Sequence, residues 1–227
     1  MLLSRGVSIN WDLEKDLKER VPNLLIHAYD HTISGRRFAR EALRETFEVM
    51  RWNRRVRDVG SAWALYLRYK RFFRRDCIHF VEKVGTEPST DATFEHMLSR
   101  IPSEARILLK MDIEGGEYCV IPSIVEGSSR IEVIAMEFHD TRRSRKLFEF
   151  QAKQICTKYE VVHLHGNNWD GIAADGLPEA LEVTFLRKDL LVDKDRSRFR
   201  ERRDALPIAG LDTPNKRDKA DYSIRFN

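Results

Sequence analysis

The chain has little cysteine, no long apolar run and no strong excess of one charge. Cys77, Cys119 and Cys156 are odd in number and far apart among 227 residues, which excludes a disulfide framework or a closely paired zinc ribbon and fits a reducing compartment. No apolar stretch approaches the roughly 20 residues that span a bilayer, and the opening MLLSRGVSIN is too short in apolar residues for a signal peptide. A soluble, cytoplasmic protein without a membrane partner is therefore expected. Forty basic residues against 36 acidic ones leave a formal charge of +4, too small an excess to point to nucleic acid by itself.

What is present is enough apolar material for one sizeable core, 42% hydrophobic and 10% aromatic. Short β-rich apolar runs alternate with longer segments of helical periodicity, the pattern of a doubly wound α/β sheet. Seven strands are predicted: about Leu2–Ile9, Leu24–Asp30, Cys77–Val84, Arg106–Asp112, Ile131–His139, Val161–His165 and Leu181–Arg187. An amphipathic helix, Trp11–Val21, joins the first two, and others are expected near Ala92–Ile101, after Gly115 and Gly116, and over Ser144–Tyr159. A basic helical stretch of about residues 34–76 interrupts the alternation after the second strand. One domain is expected over residues 1–190, followed by a charged tail, 191–227, packed on it or trailing from it.

In open α/β sheets ligands bind beyond the carboxyl ends of the strands, so the polar residues there are the ones that can carry chemistry. The first strand runs into Gly6, Ser8 and Asn10, a loop whose single glycine is well short of GxGxxG. Asp30 ends the second strand 24 residues after Gly6, near the offset of about 20 at which nucleotide-binding units place a carboxylate on ribose hydroxyls. A helix-capping or solvated aspartate is the alternative.

The fourth strand ends in Asp112-Ile113-Glu114-Gly115-Gly116-Glu117, with acidic groups at a strand tip and at the start of a helix that favours them. Glu137 and His139 alternate at the end of the fifth strand, as His163 and His165 do at the end of the sixth, so each pair shares a face. His139 or His165 could take a proton from an attacking hydroxyl, or either could be a satisfied structural histidine. Asp112, Glu137, His139 and His165 could also gather a divalent cation, although no tight ligand spacing calls for one. Asn167 lies in a Gly-Asn-Asn turn, which accounts for it unless it bonds a ligand; Trp169 beside it is a stacking wall or an anchor.

The basic stretch carries Arg36, Arg37, Arg51, Arg54, Arg55, Lys70, Arg71, Arg74 and Arg75, with Trp52, Trp63, Tyr66, Tyr69, Phe72 and Phe73 spaced as a packed helical face. A solvated cationic surface is the simpler account, and a docking site for an anionic partner the sharper one.

Taken in order, LLKMDIEGGEYCVI, IAMEFHD, VVHLHGNNW and LPEALEVTFLRKD resemble the signature series of FkbM-type methyltransferases. SRGVSINWDLEKDL is similar to a divergent form of that family's first motif, and HAYDHTIS to its second. The resemblance implies a Rossmann-like class I methyltransferase fold: a seven-stranded, mostly parallel sheet with the last strand antiparallel. It also implies S-adenosylmethionine as donor and O-methylation of a sugar or natural-product hydroxyl, the acceptor being a small molecule or saccharide. Position by position it carries cofactor binding to Gly6, Ser8, Asn10, Asp30 and Asp112. Catalysis goes to Asp112, His139 and His165, and acceptor binding to Glu137, Glu114 and Asn167. The single glycine and the start of the first motif almost at Met1 depart from the family pattern. Two other classes stay open: a silent binding module that holds an anionic partner on the basic helices, and a metal-dependent hydrolase.

Overall fold

A computed structural model describes residues 1–51, 56–192 and 206–224. Seven strands are present: β1 (Leu2–Arg5), β2 (Ile26–Tyr29), β3 (Cys77–Phe80), β4 (Ile107–Met111), β5 (Ile131–Phe138), β6 (Tyr159–Gly166) and β7 (Leu181–Arg187). Their order is β3-β2-β1-β4-β5-β7-β6 in one seven-stranded sheet. β1 pairs with β2, β2 with β3 and β4 with β5 in parallel, whereas β7 runs antiparallel to both β5 and β6. This is the Rossmann-like arrangement with an antiparallel last strand that the motifs imply. The chain forms two compact units, Met1–Lys83 and Val84–Asn227.

In the first unit β1, α1 (Asp12–Arg20) and β2 form the predicted βαβ unit. The basic stretch is two helices, α2 (Gly35–Met50) and α3 (Val56–Phe72), between β2 and β3. Ser34 starts α2 by accepting the Arg37 backbone N–H at 3.1 Å, and such a cap is worth about 1 kcal/mol. Of their described aromatic residues Phe38 and Tyr69 are buried, Trp63, Tyr66, Phe72 and Phe73 are half-buried, and Phe47 is exposed. Trp11, 1% exposed, meets Phe38, Tyr69, Phe72 and Phe73 with ring centroids 5.4–6.5 Å apart. Truncating a buried ring of this size costs about 3–5 kcal/mol. Arg68 lies over the same indole, 4.5 Å from its centroid, and donates to the Ile9 carbonyl at 2.8 Å, tying α3 to the loop after β1. Arg36, Arg37, Arg51, Lys70, Arg71, Arg74 and Arg75 are exposed; Trp52, Arg54 and Arg55 lie outside the described residues.

The second unit carries β4 to β7 with α4 (Phe94–Ser99), α5 (Glu117–Glu126) and α6 (Arg145–Lys158). Its strands alternate in burial, with Ile107, Leu109, Met111, Ile134, Met136, Phe138, Val183 and Phe185 facing the core. The described part of the tail, residues 206–224, closes on itself through a Leu206–Ile224 bridge. The basic run at 194–204 lies outside the described residues. No helix among the described residues is long and apolar enough to cross a membrane.

Candidate active site

The strand ends of the first unit build a loop around one carboxylate. Gly6 and Ser8, at φ of 72° and 53°, turn the chain sharply after β1, a conformation glycine adopts freely and serine only when held. What holds it is Asp30. Its Oδ2 accepts the Ser8 N–H at 2.7 Å, and its Oδ1 accepts the Thr32 N–H at 2.7 Å and the Thr32 hydroxyl at 2.6 Å. Burial alone would raise the Asp30 pKa, but the hydrogen bonds from Thr32 and Ser8 outweigh it and hold the carboxyl below its ordinary value. Behind it the Asp30 carbonyl meets His79 Nε2 at 3.0 Å, and Tyr69 Oη meets His79 Nδ1 at 2.7 Å. His79, which motif spacing did not single out, thus braces the end of β2 against α3. Asn10 acts locally, its Oδ1 accepting the Asp12 N–H at 3.1 Å at the start of α1.

The second unit gathers charge instead of satisfying it. Asp112 follows β4, and a tight turn through Glu114 and Gly115, both at positive φ, leads into α5. Glu117, fully buried, reaches back across that turn. Its Oε2 accepts the Gly115 N–H at 2.9 Å and its Oε1 the His139 N–H at 2.7 Å. This structural role comes on top of the helix-dipole role its position in the first turn of α5 suggests. The Tyr118 hydroxyl donates to the His139 carbonyl at 2.7 Å, so the exit of β5 is pinned on both backbone groups of His139.

The His139 ring stands among four carboxylates. Its Nδ1 is 3.4 Å from Glu117 Oε1; its Nε2 is 3.7 Å from Asp112 Oδ1, 3.7 Å from Glu114 Oε2 and 3.9 Å from Glu137 Oε1. Burial lowers the His139 pKa, but the carboxylates of Glu117, Glu137 and Asp112 outweigh it and raise it to about 9. These surroundings favour the charged ring over the neutral one that a general base requires. Burial raises Glu137 to about 7, with Asp112's charge adding to it and the Asn167 hydrogen bond opposing. Burial likewise raises Asp112.

Asn167 does two things at once. Its Oδ1 accepts the Trp169 N–H at 2.9 Å, making the turn, and its Nδ2 donates to Glu137 Oε1 at 2.7 Å. Trp169 is largely exposed, 5.3 Å beneath the Lys216 ammonium.

His165 is placed otherwise than a base requires. It is 5% exposed, with Nδ1 2.9 Å from Glu182 Oε2 and Nε2 2.9 Å from Asp221 Oδ2, so both nitrogens are taken. His163 meets Asp212 at 2.8 Å. Both histidines of β6 therefore fasten the tail. Asn168, fully buried, completes the fastening by accepting the Lys216 N–H at 2.7 Å and donating to the Lys219 carbonyl at 2.9 Å. Neither Asp212 nor Asp221 is recognisable from local motifs, because a tail partner about 50 residues away leaves no spacing signal.

Compared with known proteins, the chain matches no family model and no curated protein. Among solved structures it is similar to a precorrin-6y C5,15-methyltransferase from Geobacter metallireducens GS-15 at 13% identity and a TM-score of 0.40, over 82% of this chain and 80% of that one. It is also similar to the 23S rRNA methyltransferase ErmE at 12% identity and a TM-score of 0.43, over 87% of this chain and 66% of that one.

Proposed function

We propose that the protein is an S-adenosylmethionine-dependent methyltransferase of the FkbM type that methylates a hydroxyl oxygen on a small molecule or saccharide. The observation that carries this reading is Asp30. It is a carboxylate at the end of β2, kept ionised and clasping the Gly6–Ser8 turn, where a nucleotide-binding unit offers its acid to ribose hydroxyls. Oδ1 already accepts two hydrogen bonds, but Oδ2 accepts one and has a lone pair left for a further donor. The antiparallel β7 beside β5 and the motif series from Asp112 to Asn167 support the same reading.

In this reading the first unit holds the donor through the backbone of Gly6 and Ser8 and the carboxylate of Asp30, while Asn10 supports the loop by starting α1. The strand ends of the second unit serve the acceptor: Asp112, Glu114 and Glu137 offer oxygens to its hydroxyls, Asn167 orients Glu137, and His139 organises the carboxylates. His165 secures the tail. Methyl transfer needs chiefly alignment of oxygen, methyl carbon and sulfur. The bound donor would supply its methyl group to the acceptor oxygen and leave as a neutral thioether, with the hydroxyl proton passing to solvent.

Incubating the purified protein with methyl-labelled donor and a panel of sugars and hydroxylated natural products tests the activity. Label is expected in an O-methyl product, and its loss is expected in Asp30→Ala. A folded protein that transfers label to nitrogen or carbon, or to nucleic acid instead of these acceptors, would overturn the O-methylation reading.

A further inference from the structure

We propose that Asp112, Glu114 and His139 form a binding site for a divalent transition cation of the Mn2+ class. The inference rests on reading the strand ends of the second unit as the acceptor side.

Among the described residues these three side chains bring one ligand atom each to within 4.8 Å of one another. From His139 Nε2 the oxygens of Asp112 and Glu114 are each 3.7 Å away. That is too far for a hydrogen bond. It is the separation of atoms sharing one ion, since ligands held at about 2.0–2.2 Å stand about 3–4 Å apart.

The remaining groups fit the same assignment. Asp112 presents different oxygens to its two neighbours: Oδ2 lies 3.9 Å from Lys110 Nζ, and Oδ1 faces His139. Glu117 is buried, fixed by two backbone N–H groups, and stands at the other ring nitrogen, 3.4 Å from Nδ1. A carboxylate behind an imidazole directs the opposite nitrogen outward and strengthens it as a ligand. Glu137 approaches Nε2 to 3.9 Å while Asn167 holds its carboxylate, so a further oxygen stands beside the three. Carboxylates suit Mn2+ as they suit magnesium and calcium, and the one imidazole favours a first-row transition ion over those two, which are bound by oxygen alone.

Three protein ligands leave coordination positions for the acceptor. A hydroxyl bound there would lose its proton to solvent more readily, as a Lewis acid lowers the pKa of a bound oxygen. The substrate class this favours is one with a hydroxyl and a neighbouring oxygen that can chelate the ion, such as a vicinal diol or hydroxy acid.

The test uses the whole protein, freed of metal by chelation and desalting, and titrated with Mn2+ while the resonance of the free ion is followed. One saturable micromolar site is expected, weakened by at least about 30-fold in Asp112→Asn and in His139→Gln. Glu114→Gln, at an exposed ligand, is expected to weaken it less. Spin-echo modulation from a directly bound nitrogen should be present in the wild type and absent in His139→Gln. Circular dichroism confirms that each variant is folded. No saturable site in folded wild-type protein, or unchanged affinity in both Asp112→Asn and His139→Gln, overturns the proposal. Donor and acceptor are absent from this titration, so its failure leaves the methyltransferase reading intact, and binding of Mn2+ without any donor binding refutes that reading alone.

Discussion

Two aspartates at strand ends, Asp30 and Asp112, show what the same side chain does in opposite surroundings. Asp30 is buried yet satisfied: three donors from Ser8 and Thr32 converge on it, and its carboxyl lies below the ordinary range. Asp112 has acidic neighbours, with Glu114 and Glu117 on its own turn and Glu137 nearby, and burial pushes its carboxyl up. The first region is satisfied within the protein itself, its carboxylate holding the turn after β1. The second sets four carboxylates around one histidine, with the Lys110 ammonium 3.9 Å from Asp112, so its charges crowd one another instead of being satisfied one by one.

The comparison breaks most visibly through stability, where the two regions should respond with opposite sign. Asp30→Ala leaves the Ser8 and Thr32 N–H groups without their acceptor, and is expected to destabilise the fold by about 2–4 kcal/mol in urea denaturation at pH 7. Glu137→Gln is expected to stabilise the metal-free protein by about 1–3 kcal/mol at pH 8. The sign follows from the shift: Glu137 is held near pH 7 when folded, against an ordinary 4.5. The ionised carboxylate therefore opposes folding increasingly from pH 4.5 to 7 and fully above, and the gain should vanish at pH 4.5. Equal behaviour of the two variants across this range would remove the contrast.

A smaller effect concerns the tail. Burial lowers His165, but hydrogen bonds to Asp221 and Glu182 outweigh it and raise its pKa above 6.5. The charges around it are Glu182 on β7 and Asp221 on the tail, with Asn215 also bonded to Glu182. The charged pairing thus stabilises below pH 6.5 and is lost as the pH rises through the shifted value, by about 1 kcal/mol. Trypsin cleavage at exposed Arg217 should quicken with pH in the wild type and become pH-independent in His165→Gln. A wild-type rate that does not rise beyond trypsin's own pH profile, measured on a free peptide, counts against the latch.

The smallest is Asn10→Ala. As a side chain that supports the start of α1, it should cost about 0.5–1 kcal/mol of stability and leave donor affinity within about twofold. A tenfold loss of affinity would make Asn10 a cofactor ligand as its motif position implies.

Much of the fold was legible because its signals are local. Alternating burial in β5 and β7, the Gly6–Asp30 offset and the aromatic spacing of α3 each act over a few residues or one βαβ unit. Boundaries were less legible: β3 ends at Phe80 rather than Val84, and β1 at Arg5 rather than Ile9, because apolar residues continue into loops that leave the ladder. At the site, strand ends pointed to Asp30 and to a group of Asp112, Glu137, His139 and His165; the structure gathers the first three of that group with Glu114 and sets His165 between Glu182 and Asp221. The roles of His139 and His165 were not legible there, since protonation depends on Glu117, Glu182 and Asp221. Their approach is set by register and tail packing, which no motif records.

Calorimetric titration of S-adenosylmethionine into the wild-type protein and Asp30→Ala tests the central claim most directly. Micromolar binding to the wild type that falls at least about 100-fold in the folded variant is the predicted result. A folded wild-type protein that takes up no donor heat at millimolar concentration would contradict it.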